Sequence, residues 1–393
     1  MPPNTDKNSI CVIGGGIIGS WTSLHLARAG LPTVLIEQFP FPHTRGSSSG
    51  GSRSFRFLGD DDFNVLKYSL NEWLEMEKKI GSDLFIKTGL LSFGTSDDSY
   101  LLECMEALKK GGYPAQWLNA SEIQEQYPMI KYPANWGAVY DPNGGLLIAH
   151  KCVEAVQREF VSLGGKILQA KAENVSSDEN LSTVQVRLST GERQVYQFQK
   201  AVVCAGPWTA KLLPALKPYL ETEHISVLYW QDKTHKQSNG TQDSMAASSG
   251  FPIIYNARLT NVYSIPSYEY PGLVKVLYHG GPVADPDLRD QVDATRYIEY
   301  VSKYVKEHFP KLEHKSPAIS EQCLYTVTKD RQPIIDRFGK NIIVGAGFSG
   351  SGFKHSPATG KMLANIAMDK EKELPGGFGL TQYAFGRKFE KVE

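Results

Sequence analysis

Residues 10–37 read ICVIGGGIIGSWTSLHLARAGLPTVLIE, and this stretch decides the fold. Ile10-Cys11-Val12-Ile13 is a short apolar run of the buried-strand kind, and Gly14-Gly15-Gly16 breaks it at once. From Ile17 the apolar residues Ile18, Trp21, Leu24, Leu26 and Ala27 recur at three- and four-residue steps, which predicts a helix. Gly30 is placed to cap its C-terminus. Thr33 to Ile36 is β-branched and apolar, a second strand that ends at Glu37. Strand, glycine turn, helix, strand is a βαβ unit.

Within it Gly14, Gly16 and Gly19 form GxGxxG directly after a strand. The first glycine permits a tight turn, the second lets backbone approach a pyrophosphate, and the third lets helix and strand pack closely. Free N–H groups and the helix dipole favour an anion at the helix start, so Ile17 and Ile18 join the expected cofactor contacts. Glu37 stands where a carboxylate accepts hydrogen bonds from a ribose. This pattern points to dinucleotide binding and leaves FAD and NAD both open.

Around this unit, 393 residues exceed the ~250–300 at which a single core stops growing, so two domains are expected. Lys+Arg and Asp+Glu both number 42, and that balance argues against nucleic acid or an anionic membrane as the main partner. The five cysteines form no CxxC pair, which argues against a disulfide framework and against a zinc site. Ile10–Ile18 is too short to span a bilayer, which takes ~20 apolar residues. Met1–Ser9 lacks the apolar run of a signal peptide, and Lys391-Val392-Glu393 is not a Ser-Lys-Leu address, so a cytoplasmic location is expected, with the peroxisome as the alternative; a monomer is expected as well.

Further along, residues 44–54 are rich in Gly and Ser yet carry Arg45 and Arg53 and run into Phe55, Arg56 and Phe57. They read as an ordered loop over a ligand. Helices are expected over 62–80, 147–163 and 293–308. Strands are expected over 183–187, 194–198 and 201–208, and in runs within 262–279. Residues 341–368 repeat the opening grammar of strand, glycine turn and helix. Two glycine turns at opposite ends imply one cofactor domain assembled from separate segments (1–85, 146–220 and 320–393), with a substrate domain from 86–145 and 221–319.

Four segments in order, "HTRGSSSGGSRSFRF", "VVCAGPW", "CLYTVTKDRQPIIDR" and "GAGFSGSGFKHSPATG", carry a resemblance to the FAD-dependent amine oxidases related to D-amino-acid oxidase, in particular to the sarcosine oxidase and L-pipecolate oxidase branch. The resemblance covers residues 10–365. It implies an α/β fold, with a Rossmann-like FAD domain and an α+β substrate domain on a mixed sheet. It implies oxidation of a small secondary or N-methyl amino acid to an imine, with O2 reduced to H2O2. It places FAD against Ser49, Ser52, Arg53, Gly347, Ser349, Gly350, Gly352 and Lys354, and joins it covalently to Cys323. Arg56 and Lys354 match a cationic clamp on the substrate carboxylate, and a planar guanidinium fits a carboxylate in bidentate fashion. Arg53 matches an arginine beside the flavin ring, and Lys275 the lysine that promotes reaction of reduced flavin with oxygen. His279 and Tyr263 match pocket residues. Two departures stand out. Asp330-Arg331-Gln332-Pro333 replaces the family's acidic residue and Phe before "IID". Ser49 stands where relatives often carry a histidine, and it cannot be cationic. Other readings are a fructosyl amino acid or saccharopine-type substrate, a flavin dehydrogenase with a non-oxygen acceptor, and a non-catalytic dinucleotide-binding scaffold. No metal is expected.

Overall fold

The computed structural model describes residues 4–58, 63–237, 239 and 243–390. Met1–Pro3, Asp62 and Lys391-Val392-Glu393, used above for targeting signals and a helix start, lie outside the described residues.

The first strand, Asn4–Ile13, lies at the centre of a seven-stranded sheet. It pairs in parallel with Thr33–Glu37 on one side and with Arg193–Val203 on the other. Lys166–Ser177 and Ile342–Ala346 extend the parallel part outward. Ile334–Arg337 closes one edge in antiparallel fashion, and Ser182–Leu188 joins Lys166–Ser177 to Arg193–Val203 as a meander. Strands covered on both faces read as continuous apolar runs, and the residues alternate between two cores. Ile10 and Val12 face a core with Trp21, Leu24 and Met362, whereas Cys11 and Ile13 face Val184, Val186 and Leu216. The helix Ile17–Arg28 is buried from Ile17 to Leu26, because it lies between the sheet and the helices Gly352–Ala367 and Ala149–Ser162. Each of its large apolar side chains gains about 1.5–3 kcal/mol by that burial.

Residues 194–198 and 201–203 form one strand, not the two expected. It ends at Val203, where its neighbour turns away at Gly14, and Gly206–Trp208 makes a short turn instead of the remaining strand. Helices Phe63–Ile80, Ala149–Ser162 and Thr295–His308 stand where the apolar spacing puts them.

A second sheet has eight strands, mostly antiparallel, with one parallel pair between Ile253–Asn256 and Leu90–Thr95. At one end lie Ile319–Val327, Glu221–Gln231, Leu273–Tyr278 and Val262–Ile265, in that order. The chain is therefore an α/β protein with a Rossmann-like sheet and a second, mixed sheet. A three-stranded sheet of Ser52–Phe55, Gly145–Ile148 and Phe85–Lys87 links the two. Among the described residues no helix is long and apolar enough to cross a membrane.

The turn after the first strand leaves no room. Gly14 has φ of +107°, and a Cβ on it would lie 2.3 Å from the Cys204 carbonyl oxygen. A Cβ on Gly19 would lie 1.9 Å from the Gly14 carbonyl oxygen. Gly19→Ala is therefore expected to lower stability by ~3 kcal/mol, since only a backbone shift relieves the contact. Denaturant unfolding checks this as a lowered midpoint with an unchanged slope.

Candidate active site

The parallel strands end at one edge, and there the chain leaves a cleft of about 1270 Å3. That is above the ~300–1,000 Å3 of ordinary small-molecule sites, so it has room for a dinucleotide and a second molecule together. Its position, outside the carboxyl ends of parallel strands, is where open α/β sheets bind ligands.

The glycine turn forms the middle of the cleft. Gly14, Gly16, Ile17 and Ile18 line it, while Gly19 faces the turn from behind. Ser48 Oγ accepts from the Ile17 N–H at 2.9 Å and brings the Gly/Ser loop over the helix start. Glu37 also lines the cleft and is buried. Its Oε2 accepts from the Gly15 N–H at 2.7 Å and its Oε1 from the Phe39 N–H at 2.9 Å. A carboxylate has about four acceptor positions, so capacity remains for a ribose hydroxyl. These features fit a bound dinucleotide. Beyond Glu37 the walls are aromatic. Phe39 meets Trp208 edge-on at 5.5 Å between centroids and lies 5.2 Å from His43. Flat apolar faces of this kind suit a planar heteroaromatic ring.

The other end of the cleft is cationic. Arg56, which follows the strand Ser52–Phe55, lies over the Tyr255 ring at 4.3 Å and donates to the Tyr255 hydroxyl at 3.2 Å. Lys354, in the first turn of Gly352–Ala367, lines the same space and is buried. His279 lies with them, its Nδ1 3.4 Å from the Tyr325 hydroxyl, which is in turn 3.5 Å from the Tyr263 hydroxyl. Burial, with Arg56, Arg331 and Lys354 nearby, pushes His279 down to about 4, so its imidazole is neutral at pH 7. Gly350 allows this packing, because a Cβ there would lie 2.7 Å from the His279 ring and 2.8 Å from Tyr325.

Arg53 lines the cleft and donates to the carbonyls of Ser47, Ser49 and Ser52, which ties down the Gly/Ser loop. Ser49 lines it too, with its hydroxyl turned to the Gly46 carbonyl at 3.0 Å. Gly347, Gly350 and Gly352 form the wall beside Lys354. Ser349 is turned away and buried, its hydroxyl bonded to the Gly347 carbonyl and the Thr328 N–H.

Three expected residues, Ser52, Lys275 and Cys323, are buried and lie just behind the wall without lining the cleft. Lys275 is on a central strand of the second sheet and 3% exposed, which rules out an edge-strand surface lysine. Its Nζ donates to Ser52 Oγ at 2.8 Å and to the Glu269 carboxylate. Burial pushes Lys275 below the usual lysine range, against the pull of Glu269. Cys323 is 6% exposed, packed with Ile225 and Leu277, with its Sγ 3.8 Å from the Ser47 carbonyl of the loop.

Several residues escaped sequence reading. Tyr255 and Tyr325 complete the cationic end, and Glu269, Glu321 and Tyr229 surround Lys275. Glu269 was within reach: an acidic residue stands just ahead of Pro271-Gly272, a turn that folds it back on Lys275. The aromatic residues of Phe39-Pro40-Phe41 begin two positions after Glu37, a second signal that went unused.

Residues 9–366 match the model of the FAD dependent oxidoreductase family. The chain is 36% identical to the peroxisomal sarcosine oxidase of Homo sapiens, over 98% of each chain. It is 33% identical to that of Mus musculus over 98% of each, and 30% identical to the monomeric sarcosine oxidase of Bacillus sp. over 93% of each. Among solved structures it resembles L-proline dehydrogenase from P. horikoshii, with a TM-score of 0.77, 21% identity and 97% of each chain covered. It also resembles glycine oxidase from Geobacillus kaustophilus, with a TM-score of 0.75, 17% identity and coverage of 97% and 98%. At these identities the structures speak for the fold.

The His279 environment has a consequence for stability. Its folded value of about 4 lies below the ordinary 6.5, so the unfolded chain binds more protons between those values. Stability therefore falls as pH drops through that window, by about 3 kcal/mol at pH 4 from this residue. Urea unfolding at pH 7 and pH 4 should show a smaller acid loss in His279→Gln than in the parent, by about that amount. Equal losses would contradict the burial argument.

Proposed function

Since the chain belongs to the DAO family of FAD-dependent oxidoreductases, we propose that it oxidises the carbon–nitrogen bond of a small secondary or N-methyl amino acid of the sarcosine, L-pipecolate or L-proline type. FAD is the cofactor of this family. When bound, it supplies the two-electron chemistry: it takes electrons from the C–H bond next to nitrogen and passes them to O2, giving H2O2. Water then hydrolyses the imine that leaves.

The observation that carries this reading is the cationic end of the cleft. Arg56 and Lys354 line it, and the His279 imidazole beside them is held neutral in part by their charge. Such a site favours an anionic group. In the proposal Arg56 takes the substrate carboxylate in bidentate fashion and Lys354 adds a point charge. Tyr255 keeps the guanidinium in its plane through a stacked contact and a hydrogen bond. Anchoring one end of a small substrate presents the neighbouring C–N bond to the cofactor at near-attack distance. Neutral His279, with Tyr263 and Tyr325, lines the pocket without adding a charge that would repel a protonated amine.

The remaining roles are proposed on the family resemblance, and the positions described are compatible with them. Arg53 lies against the Gly/Ser loop and stabilises negative charge on the reduced cofactor. Lys275 serves the reaction with oxygen from behind the wall. Cys323 holds the cofactor covalently. Its sulfur lies beside the loop, within a cluster that includes Tyr263 and Tyr325. The enzyme is proposed to act as a monomer, a state that the name of the Bacillus relative carries.

An oxygen electrode with sarcosine, L-pipecolate and L-proline tests the reading. Oxygen uptake with one peroxide per O2 is expected for at least one of them. Anaerobic bleaching of the flavin without oxygen uptake would instead mean a dehydrogenase. Arg56→Met should raise KM by roughly 10–100-fold, the value of a lost charged hydrogen-bond pair. After acid precipitation the yellow colour should stay with the protein pellet, and Cys323→Ser should release it to the supernatant.

A further inference from the structure

Lys275 does not face the cleft directly. Glu269 lies between them, in the connection joining Val262–Ile265 to Leu273–Tyr278, and its carboxylate is both a wall of the cleft and the ion-pair partner of Lys275. The pair is dry: side-chain exposure is 3% for Lys275 and 9% for Glu269. Ser52 Oγ donates to Glu269 Oε1 at 2.7 Å and accepts from Lys275 Nζ at 2.8 Å, so it bridges both partners. The Tyr229 hydroxyl is 3.3 Å from Glu269 Oε1 and 3.1 Å from Glu321 Oε2, one proton shared between two carboxylates. Tyr270 donates to Glu321 from the other side at 2.6 Å.

A buried ion pair is a poor way to gain stability, since an apolar pair of similar size often does as well or better. This one is supported by two hydroxyls, those of Ser52 and Tyr229, and placed at the wall of a cleft. We propose that Glu269 is the positioning residue for Lys275: its carboxylate keeps the lysine charged and aimed at the cleft wall where oxygen reacts. The proposal rests on the assignment of Lys275 to the oxygen reaction made above. In that reaction O2 gains two electrons and two protons. The reduced cofactor carries two electrons and one proton, and the second proton comes from solvent. An ammonium just behind the wall attracts the negative charge that builds on oxygen when electrons arrive ahead of protons.

The groups that set the charge on Lys275 come from every element packed on it. Glu269 and, more distantly, Glu321 favour the ammonium, whereas burial and Arg53 on Ser52–Phe55 oppose it. The Tyr229 ring, 5.1 Å from Nζ, adds a weak attraction from Glu221–Gln231. Glu269→Gln removes the nearest opposing charge and leaves burial and Arg53 opposed by Glu321, the Ser52 oxygens and that ring, so the lysine loses its proton at lower pH.

The test measures oxygen reoxidation of the photoreduced holoenzyme against pH by stopped flow. In Glu269→Gln the alkaline limb should move down by about one unit or more, with a roughly tenfold loss of rate above it. Anaerobic reduction by substrate should change far less. Glu269→Asp, which keeps the charge, should restore most of the parent profile, and it serves if the amide variant does not fold. Thermal unfolding gives a readout independent of turnover. Lys275→Met alone should lower Tm sharply by orphaning a buried carboxylate, and Lys275→Met with Glu269→Gln should recover most of the loss. A limb that stays in place in Glu269→Gln, while Lys275→Met abolishes fast reoxidation, overturns the proposal and leaves the lysine assignment standing. A double variant no better than Lys275→Met overturns the pairing. Reoxidation unaffected by Lys275→Met sinks the oxygen assignment and this proposal with it.

Discussion

The contact on which the rest depends is between pieces of backbone. The Gly14 carbonyl lies against Gly19, and the Cys204 carbonyl lies against Gly14, with no space for a side chain at either glycine. This fixes the first strand, the first helix and the end of Arg193–Val203 in one arrangement. The helix N-terminus then opens outside the sheet, and the cleft starts there. Glu37 reaches back to the Gly15 N–H from the neighbouring strand, so the turn and the second strand hold one another. Every other wall of the cleft is placed relative to this turn.

The parallel sheet and its glycine turns were legible because their signals are local. Apolar runs, β-branched residues and glycines at fixed offsets follow from strand and helix geometry within a few residues. The merged strand Arg193–Val203 was not legible, because its continuity is set by pairing with the first strand and not by its own composition. The site divides in the same way. Arg53, Arg56 and Lys354 sit in glycine-rich segments that draw the eye. Tyr255, Tyr229 and Glu321 sit in ordinary strand sequence, and only the register of the second sheet brings Tyr255 and Glu321 to the cleft and Tyr229 against Lys275.

Charge is sorted along the cleft. The cationic end holds Arg56 and Lys354 with a neutral histidine. The acidic pair, Glu269 and Glu321, is set beside Lys275 and bound to tyrosine hydroxyls. Low dielectric in a buried cleft strengthens both sets of fields, so charges such as Arg331 and Glu321 act on His279 and Lys275 without touching them. A neutral net charge over the whole chain therefore says little about the potential a small ligand meets inside it.

The Gly/Ser loop has almost no regular structure, yet one guanidinium holds it by three main-chain carbonyls. Its path is thus written in backbone atoms, which every residue type shares. Side chains along it that make no such contact can change while the loop stays where it is, whereas the hydroxyls of Ser48 and Ser52 have partners of their own. An insertion or deletion is different, since it moves the carbonyls out of register with Arg53. The length of this loop therefore bears on its geometry more directly than the identity of most of its side chains.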